Sequence, residues 1–232
     1  MPLVPGEVIS YLEMCREESA SLQRGMNFRL HPSHSVILMS LRPGAPYSDA
    51  VVDNGRALVY EGHDVSRTSR GPDPKTVDQP AESPTGSPTQ NGLFLRAALA
   101  ARAGQAPPER VRVYEKIRAG IWAYAGLFNL VDAWQEDSGR RKVFKFRLEV
   151  VDDPALPVPI RDATPEHTRV IPSAVKLEVW KRDKGRCVRC GSTENLHFDH
   201  DIPYSRGGSS LTAANIQLMC AKHNLEKRDR VE

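Results

Sequence analysis

The chain has 232 residues, of which 26% are charged and 40% hydrophobic, and its formal net charge is +3. No apolar run approaches the roughly 20 residues of a membrane-spanning helix, and the acidic residues near the start argue against an export signal. We therefore expect a soluble, cytoplasmic protein of one or two domains. A net charge this small does not by itself indicate a nucleic-acid partner.

Residues 1–150 predict a strand-rich domain with two helices. Apolar residues at helical spacing predict a helix at 7–23, and an Ala- and Leu-rich stretch predicts another at 92–103. The combination is typical of an α+β fold with a curved sheet or a partly open β-barrel. Short apolar or alternating runs predict strands at 35–40, 56–60, 110–114, 121–125, 127–135 and 142–151.

Two stretches rich in proline and small polar residues interrupt these elements. Residues 64–92 hold too few apolar side chains to form a core element, so we expect a long loop there. Residues 152–172 contain five prolines, which predicts a semi-rigid extended linker. The chain therefore divides into an N-terminal domain at 1–151, the linker at 152–172 and a C-terminal domain at 173–232.

The cysteine positions predict a metal site in the C-terminal domain. Cys187 and Cys190 form a C-x2-C pair, and Cys220 and His223 form a C-x2-H pair farther along the chain. Two such pairs supply the four nitrogen and sulfur ligands that tetrahedral Zn²⁺ prefers. A complete ligand set predicts a structural ion, although a zinc finger that binds DNA without cutting it has the same ligands. The fourth cysteine, Cys15, stands alone and is expected to be half-buried.

A dense set of polar residues lies between and after these two pairs. It comprises Leu196-His-Phe-Asp-His-Asp-Ile-Pro203, Arg206-Gly-Gly208 and Asn215-Ile-Gln-Leu-Met-Cys220, followed by Asn224 and Lys227. In order and spacing these residues resemble the HNH endonuclease family, whose pattern runs from C-x2-C through D-H-x-x-P, G-G and N-x4-C to C-x2-[CH]-[HN]-x2-K. The resemblance spans nearly all of residues 173–230 and implies a zinc-containing ββα-metal nuclease domain.

The HNH resemblance implies catalytic roles for four side chains. His200 would be the general base, since a histidine takes a proton from water near neutral pH, and Asn215 would orient the loop and the His200 backbone. Asp199 and Asn224 would hold one catalytic cation, Mg²⁺ or another divalent ion such as Mn²⁺, Co²⁺ or Ni²⁺, through oxygen donors. The last motif residue is then Asn224, which makes an H-N-N set. His197 is a competing candidate, although it lies off the motif.

The N-terminal domain carries a looser series of short motifs. In order and spacing they resemble the SRA (SET- and RING-associated) family, which recognises modified cytosine by flipping it out of the duplex. No single motif is specific, but the ordered set is. The motifs are Pro46-Tyr-Ser-Asp49, Val59-Tyr-Glu-Gly62, Val77-Asp-Gln79, Thr89-Gln-Asn91, Gly120-Ile-Trp-Ala-Tyr-Ala-Gly-Leu-Phe128, Val131-Asp-Ala-Trp134 and Val143-Phe-Lys-Phe-Arg-Leu148.

The SRA resemblance implies a pocket for the flipped base. Tyr47 and Tyr60 would stack on the base, which offsets part of the few kcal/mol that flipping costs. Asp49 would accept a hydrogen bond from the cytosine N4 amine. Glu61 belongs to the same pocket, where the family often has a small polar residue. The alternatives are that the two tyrosines are ordinary strand aromatics and that Asp49 is a turn residue.

Arg67 and Arg70, in the long loop, would probe the groove and fill the vacated stack, or they are simply solvated charges.

Both resemblances together point to a type IV, McrA-like restriction endonuclease of bacteria that cuts DNA carrying 5-methylcytosine or 5-hydroxymethylcytosine. One HNH site attacks one strand, so we expect a homodimer. The alternatives are a nuclease that ignores modification and a non-cutting DNA-binding protein with a degenerate HNH fold.

Overall fold

The computed structural model describes residues 3–69, 71–139, 141–151, 171–203 and 206–227. Arg70 and most of the expected linker, 152–170, lie outside these ranges. Within them, no helix is long and apolar enough to cross a membrane. The elements in chain order are β1 Val8–Ser10, α1 Tyr11–Glu17, β2 Met26–His31, β3 His34–Met39, β4 Ala50–Val52, β5 Ala57–Glu61, α2 Gln90–Arg102, β6 Glu109–Arg118, β7 Ile121–Ser138, β8 Arg141–Val150, α3 Ser173–Arg182, β9 Leu196–His200, β10 Ile216–Cys220 and α4 Ala221–Lys227.

One curved sheet forms the framework of the N-terminal part. Its strands are ordered β2-β3-β6-β7-β8-β5-β4, with β1 paired to β7. Among the described strands, β3 and β6 are the one parallel pair, so the chain between them crosses over through β4, β5 and α2. α2 lays Phe94 and Ala98, both fully buried, on the main core. The sheet with helices packed on it confirms the α+β prediction.

Two predicted elements have different bounds in the structure. The helix expected at 7–23 is shorter, because Val8–Ser10 pairs as a strand with β7. Ser10 then caps α1: its Oγ accepts from the Glu13 N–H at 3.2 Å, and the Glu13 carboxylate accepts from the Ser10 N–H at 2.9 Å. The strands expected at 121–125 and 127–135 are one strand, β7, with a register shift near Gly126, whose φ is +123°.

The C-terminal part is a small ββα unit preceded by α3. β9 and β10 pair antiparallel, with Leu196 opposite Cys220 and His200 opposite Ile216. α4 follows β10 without an intervening loop, so a metal ligand at the end of β10 lies close to ligands on α4. This order of elements is the one expected for the C-terminal domain.

The two parts are joined through a shared interface. Ile117 of β6 and Ala123 of β7 belong to the same apolar cluster as residues of α3, β9 and β10. The N-terminal segment lies between both sheets, because the Phe198 N–H donates to the Gly6 carbonyl at 3.0 Å while the Gly6 N–H donates to β7. A buried ion pair, Lys176 Nζ to Glu115 Oε2 at 2.6 Å, also crosses the interface.

Candidate nuclease centre and base cavity

The two predicted ligand pairs converge on one point. The ligand atoms of Cys187, Cys190, Cys220 and His223 all lie within 4.8 Å of one another. Cys190 Sγ is 3.8 Å from Cys220 Sγ, and His223 Nδ1 is 3.4 Å from the Sγ atoms of Cys187 and Cys220. Bond lengths of about 2.3 Å to sulfur and about 2.0 Å to nitrogen place tetrahedral zinc ligands about 3.5–3.8 Å apart. The four side chains therefore fit Zn²⁺.

A backbone turn and nearby hydrogen-bond donors favour metal binding at this cluster. Gly191, at φ +74°, closes the knuckle and donates its N–H to the Cys187 carbonyl at 2.8 Å. Burial opposes ionisation of Cys187, but the N–H groups of Cys220 and Cys190 and the His223 ring lower the pKa of its thiol to about 6. The thiolate is the form that binds metal. Cys15 is half-buried in the other domain, as expected.

His200 ends β9 beside a buried hydroxyl. Its Nε2 lies 2.7 Å from Ser210 Oγ, and Ser210 is fully buried. Burial, with a smaller contribution from the nearby Lys227 ammonium, lowers the pKa of His200 to about 4. The imidazole is therefore neutral at pH 7, which is the protonation state that a general base needs.

Lys227 organises the carboxylate next to His200. Its ammonium is almost completely buried and donates to Asp199 Oδ2 at 2.8 Å and to the His200 carbonyl. Burial raises the pKa of Asp199, against the opposing effect of this contact. Asn224 precedes Lys227 by three residues on α4, which places both on the same helix face, and α4 packs against β9. The sequence motif contained Lys227, but its contacts were not predicted.

Asn215 fixes the loop that follows His200. Its Oδ1 accepts from the Ile202 N–H at 2.8 Å, and its Nδ2 donates to the carbonyls of Ile202 at 3.1 Å and Ser209 at 3.0 Å. A Cβ at Gly208 would lie 1.8 Å from the Ile202 oxygen, so the loop requires glycine there. His197, the competing candidate, precedes Asp199 by two residues on β9, but it is 8% exposed and its backbone forms an antiparallel bridge with Glu7. Burial lowers the pKa of its imidazole.

A cavity of about 660 Å³ opens in the N-terminal domain, and three of the four predicted pocket residues line it: Tyr47, Asp49 and Tyr60. Among its described lining residues Asp49 is the one acid. The cations that line it are Arg24, Arg42 and Lys116. The cavity therefore combines aromatic rings and one acceptor with a cationic lining, a combination suited to a base on a phosphate backbone.

Asp49 lies in the cavity wall with both oxygens in use. Oδ1 accepts from the Glu61 N–H at 3.0 Å and Oδ2 from the Ser40 N–H at 3.1 Å. Burial outweighs these hydrogen bonds and raises the pKa of Asp49 to about 6. An ionised carboxylate still has lone pairs for a further donor, so Asp49 can accept from a bound base.

His63 is a cavity residue that the sequence motifs did not indicate. Its ring stacks on Tyr47 with centroids 5.6 Å apart and an interplanar angle of 20°, and its Nε2 lies 3.1 Å from Tyr60 Oη. Burial lowers the pKa of His63 to about 4, so the ring is neutral. Asn91 holds the His63 backbone by accepting its N–H and donating to its carbonyl, each at 2.8 Å.

Two of the expected base contacts, Tyr60 and Glu61, offer less to the cavity than expected. Tyr60 lines the cavity but is 2% exposed and packed in the main core, so mainly its hydroxyl end is available. Glu61 is not among the described lining residues; its buried carboxylate accepts from Lys145 at 3.1 Å and from the Ser48 N–H at 3.0 Å. The Glu61 carboxylate pairs instead with the buried cations Lys145, its cross-strand partner on β8, and Arg141, and its contribution to the cavity is the N–H that it donates to Asp49.

The long loop is held by side chains from its own motifs. Gln79 donates to the Gly62 carbonyl at 2.7 Å and accepts from the Phe144 N–H at 2.8 Å, and the loop includes a 3-10 helix at Pro74–Thr76. Arg67 is exposed, with one guanidinium nitrogen 3.5 Å from Asp73, so it is open to solvent as a DNA contact would need. Arg70 lies outside the described residues.

Comparison with known proteins identifies the C-terminal module. Residues 187–230 match the family model described as HNH endonuclease. This segment is therefore similar to HNH endonuclease domains. The match agrees with the HNH resemblance predicted for the C-terminal module. No curated protein matches the chain.

Solved structures similar to the chain include SRA domains. The SRA domain of SUVH5 in complex with methylated CHH DNA is 19% identical, with 66% of this chain and 91% of that chain covered and a TM-score of 0.47. The same domain with hemi-methylated CG DNA is 22% identical, with 68% and 94% covered and a TM-score of 0.46. SUVH6 of Arabidopsis thaliana in complex with SAM is 18% identical, with 65% and 25% covered and a TM-score of 0.40.

Proposed function

We propose that this protein is a modification-dependent DNA endonuclease. The N-terminal cavity receives a flipped 5-methylcytosine or 5-hydroxymethylcytosine, and the HNH domain hydrolyses a phosphodiester bond nearby. The observation that carries the proposal is the presence, in one chain, of an HNH centre and a separate cavity with aromatic rings, one buried acceptor and a cationic lining.

The base reader rests on the chemistry of the cavity. Its volume of about 660 Å³ is in the size range of small-ligand sites. Tyr47 and the neutral His63 ring offer π-faces, and base stacking on such rings is worth about 1–3 kcal/mol. Asp49 accepts from the N4 amine, while Arg24, Arg42 and Lys116 neutralise the flanking phosphates. Arg67 and Arg70 are proposed to contact the duplex from the long loop.

The cutting site rests on the neighbours of His200. The neutral His200 takes the proton of the attacking water, with Ser210 holding the ring and Asn215 holding the following loop. Asp199 and Asn224 offer the oxygen donors for a divalent cation, which when bound stabilises charge on the phosphate and the leaving oxygen. Lys227 fixes the positions of the Asp199 carboxylate and the His200 backbone by donating a hydrogen bond to each. Zinc bound at the Cys187, Cys190, Cys220 and His223 cluster would link the two ends of the ββα unit and stabilise it, and it takes no part in the reaction.

Cleavage of one plasmid, prepared with and without cytosine methylation, tests the proposal in Mg²⁺ or Mn²⁺. We expect cutting of the methylated form only, loss of cutting in His200→Ala, and weaker binding and cutting of methylated DNA in Asp49→Ala. Equal cutting of both forms would overturn modification dependence and favour an unselective nuclease. Binding without any cation-dependent cutting would favour a DNA-binding protein with an inactive HNH centre.

Double-strand cleavage requires two HNH centres, since each centre attacks one strand. We therefore propose that two copies act together on a modified site. Sedimentation of the protein alone and on a short methylated duplex measures this directly. A single copy per duplex that nevertheless produces double-strand breaks would contradict it.

A further inference from the structure

A second group of metal-binding side chains lies in the N-terminal domain, among residues that the proposed function does not use. His31 ends β2 and His34 begins β3, and the two are cross-strand partners at the tip of the hairpin. Glu18, at the C-terminal end of α1, completes the group. One ligand atom from each of the three side chains lies within 4.8 Å of the other two.

The spacing of these atoms matches a coordination shell. Glu18 Oε2 is 3.0 Å from His34 Nε2 and 3.6 Å from His31 Nε2. Nitrogen and oxygen ligands that bind zinc at about 2.0–2.1 Å in a tetrahedron lie about 3.3 Å apart. The two measured separations fall on either side of this value, so small side-chain adjustments bring all three atoms onto one ion.

The surroundings orient these side chains as metal ligands are oriented. Glu18 is fully buried, and its other oxygen, Oε1, accepts from Arg112 Nη1 at 2.8 Å and from the Tyr114 hydroxyl. Oε2 is thereby directed toward the two histidines. Ser33 Oγ lies 2.9 Å from His34 Nδ1. When Ser33 accepts the Nδ1 proton, the Nε2 lone pair faces Oε2 and is free for a metal, as in many histidine metal sites.

We propose that Glu18, His31 and His34 form a second metal site, for a first-row divalent ion such as Zn²⁺. Two imidazole nitrogens and one carboxylate oxygen form a ligand set of borderline softness, which suits Zn²⁺, Co²⁺ and Ni²⁺ better than Mg²⁺. The histidine side chains are 30% and 16% exposed, which leaves a path for the ion and a position for water. Each neutral imidazole binds the ion through Nε2 with its single proton on Nδ1, so the proton that His31 donates from Nε2 to the Glu18 carbonyl moves to Nδ1 when the metal binds.

Metal counting on the full-length protein tests this site independently of nuclease activity. Protein loaded with Zn²⁺ and desalted is compared with His31→Gln and His34→Gln, which are partly exposed positions and leave the buried Glu18 in place. We expect each variant to hold one zinc fewer per chain than the wild type. His63→Gln is the matched control, because it removes a histidine from outside both clusters and should keep the wild-type count.

A second probe separates loss of the site from loss of the fold. With Co²⁺ in place of Zn²⁺, the Cys187, Cys190 and Cys220 thiolates give a charge-transfer band that a site made of histidine and glutamate does not give. We expect that band to be unchanged in His34→Gln while the total bound Co²⁺ falls by one per chain. Equal metal content in the wild type and in both histidine variants, with the band intact, would overturn the proposal.

Discussion

Replacement of Lys176 by methionine should strongly destabilise the interface between the two domains. Lys176 and Glu115 have side chains only 3% and 5% exposed, and their charged atoms are 2.6 Å apart. Methionine fills a similar volume but leaves the Glu115 carboxylate buried without its cation. Breaking a buried pair in this way costs about 3–5 kcal/mol. For a chain of this size the loss corresponds to a fall in Tm of about 6–20 °C.

The effect is measured by thermal unfolding of zinc-loaded protein, with two matched variants beside it. Arg102→Met removes one member of an exposed pair, Arg102 and Asp132 at 2.9 Å, and should cost about 1 kcal/mol or less. Lys176→Met combined with Glu115→Leu removes both buried charges and should recover most of the lost stability. If Lys176→Met behaves like Arg102→Met, the pair is solvated and the domains do not pack through α3 and β6 as described.

Three further predictions concern the two sites. Gly208→Ala places a Cβ 1.8 Å from the Ile202 oxygen, so the loop after His200 must shift. This shift should slow cleavage about 100-fold without changing the affinity for methylated DNA. Cleavage at the wild-type rate would refute the requirement for glycine at this position. Gly25→Ala places a Cβ 2.6 Å from Tyr60 Oη, on the cavity wall. If the crowding of about 1–3 kcal/mol falls on the bound state, methylated-DNA binding should weaken roughly fivefold to 150-fold in fluorescence anisotropy. Unchanged binding would contradict the cavity assignment. Burial raises the pKa of Asp49 to about 6, so its carboxylate is ionised above this pH and protonated below it. The affinity for a methylated duplex should therefore fall as the pH drops through about 6, and this fall should be smaller in Asp49→Ala. The same pH dependence in both proteins would exclude Asp49 as the acceptor.

Much of the C-terminal site could be predicted because its chemistry is local in sequence. A C-x2-C pair and a C-x2-H pair each hold their ligands at nearly fixed separation, so the zinc cluster needs only one long-range event, the approach of β10 to the knuckle. The alternating run in β8 likewise predicts a strand wherever it packs. β2 and β4 were not predicted, because short strands beside turn residues have weak periodicity and depend on their neighbours for pairing.

The sequence by itself predicted an α+β N-terminal domain from its periodicity, a zinc site from two spaced ligand pairs and a nuclease module from the HNH resemblance, because these patterns lie in short stretches of the chain. Only the tertiary structure decided the cavity's composition. In the cavity, His63 stacks on Tyr47, and the absence of a side chain at Gly25 leaves space for the Tyr60 hydroxyl. The Glu61 carboxylate contacts Lys145 and not the cavity. The tertiary structure also decided that Lys176 pairs with Glu115 across the interface. These contacts join residues far apart in the chain, and which side chains meet depends on packing that no local pattern encodes.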